Sequence, residues 1–226
     1  MRQSQYIDKR QYDQLQHSVR FAAQIGMPLN TFVTIQFGAT ACEPEYVGVA
    51  FRRLVKQRFT PWLRPTKGHP FDYRPAAWVY WLENVHEHDH HPHGTHVHWN
   101  VHLPHGRRGV FEQKLPQWVQ NVAGVIHDPE AVIRVSDAHN PMGLRMYAGK
   151  AMKPADARKR RVRTSPQGVI FGRRLSISES INVSAINAHQ DQTRMAAMRA
   201  GGVQEVARIP WPANDVRDQD RDAPPW

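Results

Sequence analysis

Apolar residues recur every three or four positions in four stretches of the chain, the spacing of a helix with one buried face. The clearest stretch is Asp8–Ile25, in which Tyr12, Leu15 and Val19 share one side and Gly26 follows the last turn. The same spacing predicts helices over Pro44–Leu63, Val110–Ile126 and Met142–Met152. Each helix is expected to pack its apolar face against a sheet.

β-Branched and aromatic residues predict four strands, Leu29–Phe37, Ala77–Glu83, Thr95–Leu103 and Ala131–Val135. The third strand alternates strictly between apolar and polar residues. Because successive side chains of a strand point to opposite faces, one face carries Val97, Trp99, Val101 and Leu103, and the other carries His96, His98, Asn100 and His102. The apolar face is expected to pack, and the polar face to meet water or a metal ion.

The order of these elements predicts an α+β fold, a central antiparallel sheet with helices packed on it, for which a ferredoxin-like topology is one solution. The chain divides by composition into four parts. We predict an N-terminal packing helix in residues 1–27, a core in 28–155, a basic extension in 156–189 and a flexible polar tail in 190–226.

Charge and composition restrict the possible functions. The 226 residues include 30 Lys and Arg against 20 Asp and Glu, a formal charge of +10 that favours a polyanionic partner such as nucleic acid. No apolar run approaches the roughly 18 residues of a membrane helix, so a spanning protein is excluded. The polar N-terminus lacks the apolar segment of a secretory signal, and Cys42 is the single cysteine. We therefore expect a cytoplasmic protein without disulfides.

Histidines are concentrated in one part of the chain, where nine of the 14 fall between His86 and His105. Those from His86 to His93 are interpreted as incidental members of a surface loop. His96 and His98 differ, because both project from the same face of one strand and can chelate a single ion. Imidazoles alone would suit zinc, copper or nickel, whereas a carboxylate ligand shifts the preference towards Mn²⁺ or Mg²⁺. Glu83 is the candidate carboxylate, since a hairpin would return it beside the two histidines; His102 ranks below it.

Two further groups of residues carry possible chemistry. Tyr147 and Lys150 are three positions apart on a predicted helix and share a face. This pairing is common, and it gains weight only because the chain also contains the strand with His96 and His98. A basic run follows the helix, namely Arg158, Lys159, Arg160, Arg161 and Arg163. This run either contacts DNA phosphates or is a solvated charged linker.

Together, the strands TFVTIQF and VYWLEN, the segment GTHVHWNVHLP and the later Tyr147-x-x-Lys150 resemble the ordered motifs of the HUH endonucleases, and most closely those of rolling-circle replication initiators with a single catalytic tyrosine. The resemblance covers residues 28–155. It implies the HUH nuclease architecture, a divalent ion on His96 and His98 with Glu83 as third ligand, and attack on DNA by Tyr147 assisted by Lys150.

The resemblance implies a site-specific endonuclease and strand transferase for single-stranded DNA, which forms a 5′-phosphotyrosine intermediate and initiates rolling-circle replication of a plasmid, phage or similar element. The expected partners are single-stranded or hairpin DNA at an origin, and a host helicase and polymerase. A transposase or mobilisation relaxase would share this chemistry. A non-enzymatic, histidine-rich protein that binds metal and DNA is the alternative from another functional class.

Overall fold

An antiparallel sheet of five strands forms the centre of the computed structural model, which describes residues 2–64, 75–85, 94–126, 128–138 and 143–200. The strands lie in the order β5 (Ile133–Asp137), β2 (Thr31–Gln36), β4 (Thr95–Val101), β3 (Trp78–Asn84) and β7 (Leu175–Ile177). Every neighbouring pair is antiparallel. A second, two-stranded sheet pairs β1 (Gln3–Ser4) with β6 (Ile170–Phe171). The predicted α+β class with a central antiparallel sheet is confirmed.

The helices are α1 (Lys9–Gln24), α2 (Val47–Leu54), α3 (Thr60–Leu63), α4 (Arg108–Ala123), α5 (Pro129–Val132), α6 (Leu144–Gly149), α7 (Pro154–Lys159) and α8 (Val183–Arg199). A π-helical segment, Val55–Phe59, joins α2 to α3, so the helix predicted over Pro44–Leu63 exists but begins later and changes its winding. Short 3₁₀ turns cover Phe37–Ala39 and Glu179–Ile181. Within the described segments, no helix has both the length and the apolar character that crossing a bilayer would require.

Two predicted elements end or begin at a different residue in the structure. The strand predicted over Ala131–Val135 starts at Ile133, since the Asp128 side chain accepts hydrogen bonds from the backbone of Glu130 and Ala131 and starts a helical turn instead. The helix predicted to reach Met152 ends at Gly149, and Met152 forms a β-bridge with Ile7.

Both faces of the sheet are covered. On one face Trp99 packs with Phe51, Phe59 and Phe111 from the helical layer formed by α2, the π segment and α4. On the other face Trp81 lies in a separate core with residues of α1, α6 and α8. The polar face of β4 is therefore enclosed by helices instead of facing open solvent. Of the two expectations for this face, contact with open water is wrong, and contact with a metal ion stays a prediction.

The boundary predicted at residue 155 does not separate the sheet from the later part of the chain. Strand β7 covers the edge of β3, and β6 pairs with the N-terminal β1, so residues 156–189 include a structural part of the core. An open edge strand needs such a cover, and a three-residue strand carries too short a pattern to be found in the sequence. Residues 190–199, predicted to belong to the flexible tail, are instead the second half of α8, which continues to Arg199. Residues 201–226 lie outside the described part.

Candidate metal centre

The hairpin of β3 and β4 brings the candidate metal ligands together. Glu83 pairs directly with His96 in the antiparallel register, and His98 lies two positions further along β4 on the same face. Glu83 Oε2 is 3.2 Å from His96 Nε2 and 3.3 Å from His98 Nε2. Two ligand atoms on one metal ion, each about 2.1 Å from it, are about 3 Å apart. The three side chains are therefore close enough to bind a single ion.

Hydrogen bonds on the far side of each ring orient the imidazoles. His96 Nδ1 is 2.9 Å from the carbonyl oxygen of Gly94, and His98 Nδ1 is 3.2 Å from Thr34 Oγ1. A carbonyl can only accept, so Nδ1 of His96 donates this hydrogen bond, and Nε2, the other ring nitrogen, faces Glu83. This is the arrangement by which metal-binding histidines are usually held.

Two of the three candidate ligands are almost fully buried. Glu83 and His98 are 3% and 4% exposed, and His98 Nε2 makes no hydrogen bond of good geometry with any group in the described part of the chain. Burial by itself raises the pKa of Glu83, but its contacts with His96 and His98 outweigh that effect and hold the pKa below its ordinary value. Burial lowers the pKa of His98. An ionised carboxylate beside a neutral imidazole is the donor set that a divalent ion requires.

Tyr147 lies directly against this group of ligands. Its ring meets the ring of His98 edge-on, with the centroids 4.9 Å apart, and lies 5.9 Å from the ring of Trp81. The ammonium of Lys150 is 4.0 Å from the centroid of the Tyr147 ring, a cation–π distance. Burial, together with the charge of Glu83, raises the pKa of Tyr147 to about 12. The phenol is consequently protonated at neutral pH.

Close packing of α6 fixes the position of Tyr147. Gly149 lies so near its neighbours that a Cβ there would be 2.6 Å from Val162 Cγ1 and 3.1 Å from Tyr12 Cε2. The glycine between the tyrosine and the lysine is therefore a packing requirement of this helix, and it allows α6 to approach α1.

The basic run behaves as two groups. Arg160 forms an ion pair with Asp13 of α1 and stacks near the ring of Tyr12, so its charge is already engaged within the fold. The other members, Arg158, Lys159, Arg161 and Arg163, are exposed. The run is not a free linker, because α7 includes its first residues and Val162 is buried in the core.

Two other histidine predictions have separate outcomes. His102 follows the last residue of β4, and its Nδ1 is 2.8 Å from the carbonyl oxygen of Pro28. It lies six positions along the chain from His96, the residue that pairs with Glu83, and therefore apart from the candidate ligands. The histidines from His86 to His93 lie outside the described residues.

Sequence reasoning missed three side chains that support the ligands. Thr34 faces His98 from the neighbouring strand, and the indole Nε1 of Trp81 donates to Glu83 Oε1 over 3.0 Å. The third is Gln167, which approaches the Glu83 carboxylate from the segment after α7. Strand geometry contained a signal for the first two, because alternate residues of a strand share a face, as Trp81 and Glu83 do in β3. Nothing in the sequence around Gln167 points to β3.

Comparison with known proteins gives no relative: no family model, no curated protein and no solved structure matches this chain. Within the described ranges, Glu83, His96 and His98 form a group whose ligand atoms all lie within 4.8 Å of one another. Function is therefore inferred from the chemistry that these side chains and Tyr147 can perform together.

Proposed function

We propose that this protein is a metal-dependent, site-specific endonuclease and strand transferase for single-stranded DNA, with Tyr147 as its nucleophile. The observation that carries the proposal is the edge contact between the rings of Tyr147 and His98. A phenol, an ammonium and a set of metal ligands from distant parts of the chain meet at one point. Covalent cleavage of a phosphodiester needs a nucleophile, positive charge for the phosphate oxygens and a place for the DNA strand.

Glu83, His96 and His98 would hold the divalent ion. Two imidazoles with one carboxylate favour Mn²⁺ or Mg²⁺ more than a set of imidazoles alone would. When bound, the ion supplies a Lewis acid that polarises the non-bridging oxygens of the scissile phosphate. The Gly94 carbonyl and the Thr34 hydroxyl keep the two rings turned towards the carboxylate through hydrogen bonds at Nδ1.

Tyr147 would attack the phosphorus through its phenolic oxygen. The new bond joins Oη to phosphorus while the bond to the 3′-oxygen breaks, which leaves a 5′-phosphotyrosine and a free 3′-hydroxyl. The proton that the phenol loses is balanced by the proton that the 3′-oxygen gains. With a pKa of about 12, only about one phenol in 10⁵ is ionised at pH 7, so the step needs help. Lys150, beside the ring, offers the positive charge that stabilises the phenolate.

The reverse of this step rejoins strands, and no ATP is needed because the phosphotyrosine bond conserves the energy. A tyrosine in this position can reach only the exposed phosphate of an unpaired nucleotide, so the substrate is single-stranded DNA or an extruded hairpin. The exposed cations after α6 would bind the flanking phosphates. Together with the resemblance to rolling-circle initiators, this chemistry suits nicking at a replication origin, where a host helicase and polymerase would act next.

The test is covalent trapping. Labelled single-stranded oligonucleotides that carry origin-like sequences, in a library with randomised flanks, are incubated with the protein and Mn²⁺, and adducts that survive denaturant are resolved by electrophoresis. We expect an adduct that disappears on chelation and with Tyr147→Phe. Tyr46→Phe, which alters an exposed tyrosine, is the matched control and should leave the adduct unchanged.

Three results would contradict the proposal. An adduct that persists with Tyr147→Phe would assign the nucleophile elsewhere. Cleavage that is indifferent to chelation would remove the role of the ion. Tight, stoichiometric binding of zinc or nickel without cleavage of any substrate under Mn²⁺ would favour a non-enzymatic metal-binding and DNA-binding protein.

A further inference from the structure

Glu83 has two carboxylate oxygens in different surroundings. Oε2 faces the histidine nitrogens, whereas Oε1 accepts a hydrogen bond of 3.0 Å from the indole of Trp81. The Gln167 amide lies against both oxygens, with its nitrogen 3.0 Å from Oε1 and 2.8 Å from Oε2. The nitrogen is assigned to this side because the opposite orientation would turn the amide oxygen towards two carboxylate oxygens, and all three are acceptors.

Gln167 is itself held from several sides. Its amide oxygen accepts from Ser165 Oγ over 2.7 Å, and its backbone carbonyl accepts from the backbone nitrogen of Asn84 over 3.0 Å. The fully buried Arg174 guanidinium donates to the carbonyl oxygens of Leu82 and Gln167, over 2.8 Å and 3.2 Å. The segment is thus fastened to the end of β3.

Gly168 permits this close approach. Its φ is +61°, and a Cβ there would lie 1.8 Å from the carbonyl oxygen of Asn84. No other residue fits between the segment and β3. The chain therefore uses a glycine, a buried arginine and a short loop to bring one neutral amide to the carboxylate.

We propose that Gln167 is a positioning residue that keeps Glu83 a one-oxygen ligand of the metal ion. Oε1 accepts from the Trp81 indole, and the Gln167 amide nitrogen bridges both oxygens, 3.0 Å from Oε1 and 2.8 Å from Oε2. The carboxylate is thereby prevented from rotating, so Oε1 stays on Trp81 and Oε2 stays turned towards the imidazoles. The inference rests on the metal site that the proposed function requires. It adds a reason why that site would prefer Mn²⁺ to Ca²⁺. A one-oxygen carboxylate with two imidazoles leaves coordination positions for water and phosphate on a six-coordinate ion such as Mn²⁺, whereas Ca²⁺ takes more oxygens and often binds both carboxylate oxygens.

The amide also matters because it is neutral. A carboxylate at position 167 would oppose Glu83, and a cation would compete with the metal ion for it. An amide donates hydrogen bonds to the carboxylate without changing the net charge of the ligands. This is the kind of support around a ligand whose loss typically weakens metal affinity by about 10- to 100-fold.

The experiment compares metal binding by the full chain with Gln167 and with Gln167→Met, which preserves size but removes the donor. Mn²⁺ and Ca²⁺ affinities are measured by calorimetry, and the Co²⁺-loaded protein is measured by visible absorption. We expect Gln167→Met to weaken Mn²⁺ binding about 10- to 100-fold, to narrow the preference for Mn²⁺ over Ca²⁺ and to alter the Co²⁺ spectrum. Gln57→Met makes the same change at an exposed position and should alter none of these.

The outcomes separate this inference from the proposed function. Unchanged Mn²⁺ affinity and an unchanged Co²⁺ spectrum in Gln167→Met would overturn the role of Gln167 and leave the nuclease proposal standing. Absence of DNA cleavage by the unaltered protein, with the metal properties of both proteins as expected, would overturn the nuclease proposal alone. If Gln167→Met does not fold, Ser165→Ala decides: this exposed change loosens the amide and should weaken Mn²⁺ binding in the same direction, by a smaller factor, and unchanged binding would overturn the inference.

Discussion

The ring of Tyr147 stands at 82° to the ring of His98, with 4.9 Å between the centroids, although nearly fifty positions separate the two residues. The contact links the strand that carries the imidazoles to the helix that carries the phenol. The ammonium of Lys150 also lies 4.0 Å from the centroid of the Tyr147 ring, so a candidate metal ligand and a cation both contact the tyrosine. This arrangement has measurable consequences for metal binding, for DNA cleavage and for the stability of the fold.

Metal binding should stabilise the protein through Glu83. With Mn²⁺ at about 100 times its dissociation constant, the free energy of unfolding should rise by about 2.7 kcal/mol. Glu83→Gln should lose most of this gain, because the carboxylate supplies the negative charge of the ligand set. The measurement is thermal unfolding with and without Mn²⁺. Glu45→Gln, at an exposed position, should retain the full gain, and an equal gain in both variants would argue against Glu83 as a ligand.

Lys150→Ala should slow cleavage more than it weakens DNA binding. If the ammonium stabilises negative charge on the phenolate, its removal should lower the single-turnover rate of adduct formation by about 10²-fold, as for other groups that stabilise developing charge. Lys153→Ala removes an exposed lysine of the same segment and serves as the control. Equal rates in the two variants would assign Lys150 a role in DNA binding alone.

Gly149→Ala should destabilise the fold despite the higher helix propensity of alanine. The new methyl group would lie 2.6 Å from Val162 and displace α6, and overpacking of this kind costs about 1–3 kcal/mol. Gly109→Ala is the matched change in α4, where a Cβ meets nothing within 4 Å, and it should be neutral or stabilise by about 0.4–1 kcal/mol. Urea denaturation measures both. Similar values for the two variants would contradict the packing role of Gly149.

The exposed cations after α6 should govern the salt dependence of DNA binding. Alanine at Arg158, Lys159, Arg161 and Arg163 should reduce the slope of log affinity against log salt concentration by about 0.7 for each lost phosphate contact. The control removes four exposed cations from the layer on the opposite face of the sheet, Arg52, Arg53, Lys56 and Arg58. Fluorescence anisotropy with a single-stranded oligonucleotide measures the slopes. Equal reductions would indicate a general effect of net charge.

Arg160→Gln should act on stability more than on DNA affinity. Its guanidinium is paired with Asp13, so the substitution leaves a half-buried carboxylate without its partner. Asp13→Asn should destabilise in the same direction, and the double variant should lose less than the sum of the two changes. A double-mutant cycle in urea checks this coupling. Strict additivity would mean that the ion pair contributes nothing to the fold.

Local patterns were sufficient to predict β4, the strand that carries the two candidate histidine ligands. Strict alternation in Thr95–Val101 fixes which side chains share a face, and strand geometry requires no more than this to pair His96 with His98. Glu83 could be added because a hairpin register relates the end of one strand to the start of the next. Tyr147 and Lys150 could be placed on one face of a helix, but a helical spacing carries no information about which strand that helix meets.

The amino-acid sequence by itself determined the period of each element, the α+β class and the chemical types at the candidate site, because these depend on neighbours along the chain. Only the tertiary structure decided that Tyr147 rests against His98, that Gln167 reaches Glu83, and that β7 closes the edge of β3. Those contacts join residues far apart in the chain, and they form through packing of whole helices and loops, a process that leaves no periodic signal near either partner.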